Sequence, residues 1–145
     1  KDLFTQLPKL ELNFNEPGIK FKEIKNLFGE NKLLGKRLEP NFQYCINNKC
    51  KDFAKYNEVV FNKRANFNWR LIFNDEVCDT IKGDPTIVKE DKTYLNDSEL
   101  CQVGSYPLDY NFGKLKAGYL IGMSVPPVMT ANIASQIYNQ WISKL

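Results

Sequence analysis

Apolar residues recur at intervals of three and four near the C-terminus. Val128, Ala131, Ala134, Ile137, Tyr138, Trp141 and Leu145 trace one face and predict a helix over 128–145. Pro126 and Pro127 suit its cap and first turn, where a missing N–H leaves no bond unmade. A shorter helix is predicted over 97–103, because Asn96 and Glu99 have the spacing of a capping box and Gly104 can end the run. Phe21, Ile24, Leu27 and Phe28 share a face and predict another, closed by Gly29. Val59-Val60-Phe61 and Trp69-Arg70-Leu71-Ile72-Phe73 are β-branched and aromatic and predict strands, with residues 62–68 as a hairpin or exposed loop between them. Gly83-Asp84-Pro85 marks a turn before the β-branched Thr86-Ile87-Val88. Leu10, Leu12 and Phe14 alternate with polar residues, as in a short strand or extended segment, and Pro17-Gly18 turns the chain. Residues 36–57 are poorly periodic and predict loops with a short helix around 52–56. The expected fold class is α+β: short antiparallel strands and loops over 1–92, then a short helix and a C-terminal helix within 93–145.

The 145 residues are 43% hydrophobic and 26% charged, the balance of one globular domain with a real core. No run reaches the roughly 18 consecutive apolar residues of a membrane span. No signal-peptide pattern opens the chain, so a cytoplasmic location is the default expectation. The chain begins at Lys1 rather than Met, and a portion of a longer polypeptide is expected. Cys45, Cys50, Cys78 and Cys101 are irregularly spaced without a secretory context, which predicts reduced thiols. Histidine is absent, so Cys45-x4-Cys50 is half a zinc site at best, and no metal is expected. No His-activated Ser or Cys nucleophile can be assembled either.

The net charge of +3 hides an uneven distribution. Between Gly18 and Arg70, 12 Lys and Arg face 5 Asp and Glu, a balance of +7; between Leu71 and Lys92 the counts are 3 and 6. The basic third suits a surface facing a polyanion, or is an ordinary solvated polar face.

Two stretches remain. Tyr94-Leu95-Asn96-Asp97-Ser98-Glu99-Leu100-Cys101-Gln102 runs on to Tyr106-Pro107-x-x-Tyr110, and Ile121-Gly122-Met123-Ser124-Val125-Pro126-Pro127 precedes the terminal helix. Each alone reads as a helix exit with packing aromatics or a tight turn with a capping serine. Together and in this order they resemble the last two motifs of DNA (cytosine-5) methyltransferases, R-x-L-T-x-x-E-x-x-x-x-Q-x-F-P-x-x-Y and I-G-N-S-V-P-P. The resemblance covers Trp69 to Leu145, with Val77-Cys78-Asp79-Thr80 standing where a Pro-x-x-Thr element usually closes the recognition domain. Residues 1–68 match nothing specific, as expected of a region that varies with the DNA target.

The resemblance implies that residues 1–92 form a target recognition domain and that 93–145 pack on a catalytic domain absent from this chain. Gly122, Ser124 and Val125 match the loop that lines the S-adenosylmethionine pocket; Met123 departs from the usual Asn. Glu99, Gln102, Pro107 and Tyr110 match the penultimate motif, whereas Tyr94 stands for Arg and Asn96 for Thr. The family's nucleophile is a Cys after Pro, but Tyr44, Lys49, Val77 and Leu100 precede the cysteines here. With no cofactor loop either, the chain alone is expected to be inactive, and S-adenosylmethionine is expected to serve only the whole enzyme. Double-stranded DNA is the expected partner. Arg64 and Arg70 are candidate readers of guanine, and Asn62, Asn66 and Asn68 of adenine. Lys36, Arg37, Lys49, Lys51 and Lys63 are candidate phosphate contacts. Two alternatives are a non-catalytic DNA- or protein-binding module and one subunit of a split methyltransferase. An apolar helix face without its sheet also predicts dimerisation through the tail.

Overall fold

In the computed structural model, which describes residues 8–25, 29–63 and 69–144, the chain is α+β. Gly18–Ser124 forms one compact unit, and Lys1–Pro17 joins Val125–Leu145 in another. The boundary expected between 92 and 93 falls inside the first of these.

At the centre of the Gly18–Ser124 unit, β1 (Arg70–Ile72) pairs with β2 (Ile87–Lys89), Leu71 opposite Val88. The pair is parallel, not antiparallel as the sequence suggested. The connection from Phe73 to Thr86 explains this: a parallel return needs about a dozen residues, and this segment provides them. Single antiparallel bridges, Asp52 with Arg70 and Val88 with Tyr94, flank the pair. Both faces are covered, as parallel sheets require. Leu71 and Val88 pack with Phe42, Cys45 and Phe53 on one side. Ile72 and Ile87 join Phe21, Leu95, Leu100, Ala117 and Ile121 on the other. Alternation with period two divides the side chains in this way.

Helices supply both layers. α1 (Glu39–Asn47) carries Pro40 in its first turn and buries Phe42 and Cys45, while its buried Asn41 donates to the Phe53 carbonyl at 2.9 Å. It was not legible as a helix. α2 (Ala54–Phe61) overturns the strand expected at Val59–Phe61. The Asp52 carboxylate accepts from the Ala54 N–H at 2.9 Å, and Asn62 stops the helix in the left-handed region at φ 50°. These end signals outweigh β-branched propensity, because Val59, Val60 and Phe61 are exposed and, among the described residues, no strand pairs with them. α3 (Asp97–Val103) has the expected capping box: Asn96 accepts from the Glu99 N–H, and Glu99 from the Asn96 N–H. α4 (Ala117–Gly122) follows. The helix expected from Phe21 is only a 3-10 turn, Phe21–Glu23; Asn26 to Phe28 lie outside the described residues.

In the other unit, α5 (Pro127–Gln140) has Pro126 as its N-cap and gives way to a 3-10 turn, Ile142–Lys144, while Leu145 lies outside the described residues. No residue of α5 is buried, and Val128, Ala131, Ala134 and Tyr138 of its expected apolar face are exposed. The extended segment from Pro8 takes its bonds from this helix instead of a strand. The Gln140 amide accepts from the Glu11 N–H at 2.9 Å and donates to the Glu11 carbonyl at 2.6 Å. The Trp141 indole donates to the Pro8 carbonyl at 2.9 Å, and Asn132 to Glu16 at 3.4 Å.

All four cysteines are free thiols. Burial pushes Cys45 and Cys78 up to about 12, and Cys101 upward too. At pH 8 a thiol at about 12 holds about a thousandfold less thiolate than an ordinary one near 9. Cys45 and Cys78 are therefore expected to react with an aromatic disulfide reagent about a thousandfold more slowly in native than in urea-unfolded protein at pH 8, checked by comparing the two. Because the folded values are raised, the folded state favours the protonated thiol. Its stabilisation is complete below about pH 9 and is lost as pH rises towards 12.

Candidate functional site

The basic third of the chain is not all free to meet a polyanion. Acidic residues from 71–92 reach back to it: Lys22 pairs with Asp75 at 2.6 Å, Lys25 with Asp91 at 3.8 Å and Lys51 with Glu76 at 2.5 Å. Arg70 donates through Nε to Asp79 at 2.8 Å, with Asp52 at 3.8 Å from its Nη1, and Lys51 lies 3.6 Å from Asp79. Lys51 and Arg70 thus sit among the three carboxylates of Asp52, Glu76 and Asp79. The hydrogen bond to Glu76 holds the Lys51 ammonium above its ordinary range, against the opposing effect of burial. Of the expected DNA contacts, these two are tied to the chain's own acids.

Lys36 and Arg37 are exposed on a 3-10 turn, Lys36–Leu38, whose Leu38 packs against the core. Lys49 is exposed just past α1 in the left-handed region, at φ 48°. Asn62 ends α2, and Lys63 is exposed beside it. Arg64, Asn66 and Asn68 lie outside the described residues. Among the described residues, Lys36, Arg37, Lys49 and Lys63 have no carboxylate within ion-pair distance.

The two motif stretches touch. The Tyr106 hydroxyl donates to Ser124 Oγ at 2.7 Å, and Ser124 Oγ donates to the Ile121 carbonyl at 2.8 Å. Ser124 therefore closes α4 and does not cap α5. Tyr106, Tyr110 and Phe112 stack as a triangle with ring centroids 4.9 to 5.8 Å apart. Gly122 lies against the Lys82–Gly83 backbone: a Cβ there would come within 2.0 Å of the Lys82 carbonyl oxygen. Met123 and Val125 are exposed. Glu99 is 0% exposed and pairs with Lys89, itself 1% exposed, at 3.0 and 3.1 Å. Lys89 also donates to Asn31 at 2.8 Å, and Asn31 accepts from Asn96 at 3.2 Å. Sequence reasoning missed Lys89. Its one signal was a charge immediately after the apolar pair Ile87-Val88.

Beside this network lies a cavity of about 740 Å³. Leu95, Leu100 and Ala117 line it, together with Trp69, Tyr94 and Tyr119. The Trp69 indole donates to the Tyr94 hydroxyl at 3.1 Å. Glu30, Lys32, Asp84, Asp97 and Lys116 bring both signs of charge to it. Asn96 lines it too, beside Tyr94.

Among the described residues, no three Cys, Asp or Glu side chains gather as a metal site, and no helix is long and apolar enough to cross a membrane. No protein-family model, curated protein or solved structure matches the chain.

Proposed function

We propose that this chain is the DNA-target recognition and tail portion of a DNA (cytosine-5) methyltransferase whose catalytic part it does not contain. The observation that carries the reading is the Tyr106–Ser124 hydrogen bond at 2.7 Å. It joins Tyr106 of the first stretch to Ser124 of the second, which supports reading the two stretches together. A second support is the chain path: Gly18–Ser124 leaves from and returns to segments that are hydrogen-bonded to each other, as an inserted recognition domain would.

S-adenosylmethionine would donate the methyl group in the whole enzyme. Gly122 faces the Lys82 carbonyl, Ser124 is bonded to Tyr106 and Ile121, and Met123, Ser124 and Val125 are exposed. The chain's own contribution is to DNA. Lys36, Arg37, Lys49 and Lys63 would meet phosphates and release counterions on doing so.

The test is transfer of labelled methyl groups to DNA by the polypeptide that includes the preceding reading frame, with duplex binding followed across salt concentrations. Transfer is expected. The Lys36→Ala/Arg37→Ala variant should reduce the slope of log affinity against log salt by about 1.8, from about 0.9 per phosphate contact. A preceding frame without a Pro-Cys nucleophile, or no transfer to any duplex, would overturn the reading.

A further inference from the structure

The cavity beside α3 and α4 is used by nothing in the reading above. Its volume of about 740 Å³ is that of a site for a small organic group, commonly about 300–1,000 Å³. Three aromatic rings, Trp69, Tyr94 and Tyr119, line it. The Trp69–Tyr94 hydrogen bond consumes the indole N–H and leaves the phenol proton available to a guest. Asp84 and Asp97 can accept from an amino group, and Lys32 and Lys116 can meet an anion. Flat π-surfaces, acceptors for an amine and cations for a phosphate match the ring, the exocyclic amino group and the phosphate of a nucleotide.

We propose that this cavity takes one unstacked nucleobase bearing an exocyclic amino group, from the strand that the chain binds. The inference rests on the DNA reading above, but its site is distinct from the exposed Lys36, Arg37, Lys49 and Lys63. The rings supply stacking, which tolerates sequence, and the two aspartates favour adenine, cytosine or guanine over thymine. Tyr94 and Asn96 replace the Arg and Thr of the family pattern, so the site is a property of this chain.

The chain's two tryptophans make the test direct. In a Trp141→Phe background Trp69 is the only indole, and it lines the cavity. The protein is titrated with a labelled duplex carrying one bulged adenine, with the fully paired duplex, and with deoxyadenosine, following Trp69 emission and label anisotropy. The bulged duplex is expected to quench Trp69 at least about twofold. Tyr119→Ala should raise the midpoint about tenfold, the effect of losing one stacking ring. Tyr119 is 50% exposed, so its removal spares the core. Binding of both duplexes with unchanged Trp69 emission overturns the cavity proposal and leaves the DNA reading standing. Quenching by deoxyadenosine with neither duplex bound keeps a nucleobase site and removes the DNA reading. Neither binding nor quenching overturns both.

Discussion

Lys89→Met is expected to unfold in urea with a loss of about 3–5 kcal/mol, the cost of leaving one buried charge without its partner. Lys89 and Glu99 are 1% and 0% exposed, so bulk solvent does not take over the role of the lost ammonium. The pair itself contributes less than this figure suggests, because taking both charges out of water offsets much of their attraction. The double variant Lys89→Met/Glu99→Gln is therefore expected to recover most of the loss. The glutamine replacing Glu99 in that variant still offers an oxygen to the Asn96 N–H, so the α3 cap survives. In a Trp141→Phe background, Trp69 emission reports unfolding of the Gly18–Ser124 unit. A double variant no more stable than the single one would mean that the Lys89 contacts to Asn31 matter more than charge balance.

Gly122→Ala is the second large effect, and its sign separates two forces. Near the end of α4, alanine is favoured over glycine by up to about 1 kcal/mol of helix propensity. Against this, its methyl would sit 2.0 Å from the Lys82 oxygen and 2.5 Å from the Gly83 nitrogen. Backbone cannot rotate away as a side chain can, so the overpacking cost lies at the upper end of its range, about 3 kcal/mol. A net loss of about 2 kcal/mol is expected, visible as a lowered Tm without any cofactor. A Tm equal to or above the parent's would show that Gly122 is not pressed against this turn and would return it to the role of lining a ligand pocket.

These positions show what was legible in the sequence. α3 and the start of α5 were, because each carries its own end signals, Asn96 with Glu99 and Pro126 with Pro127. α1 was not: its hold on the core includes the buried Asn41, which bonds to Phe53 across the turn to α2, and polarity at that position hides the periodic face. The end of α2 was misread because Val59, Val60 and Phe61 are β-branched or aromatic, whereas its start overlaps the short helix expected around 52–56. The parallel register depends on the long return through Phe73–Thr86, which no local pattern encodes. The charge excess was real as composition, but Glu76 and Asp79 neutralise Lys51 and Arg70 from a different stretch. Block charge along a chain becomes surface potential only after the blocks have folded on one another. The cavity was invisible for the same reason. Its walls come from before β1, from the connection between β1 and β2, from after β2 and from the start of α4.

The side-chain amide of Gln140 brackets the Glu11 peptide as a neighbouring strand would, and Trp141 holds Pro8 next to it. Segments that precede and follow Gly18–Ser124 in the chain are thereby hydrogen-bonded to each other. Such a joint makes the intervening unit a cassette: its length, charges and pockets can be exchanged in evolution or by design while the seam stays shut. New specificity can then arise by replacement of a whole insert, with no need for the surrounding protein to be rebuilt around it.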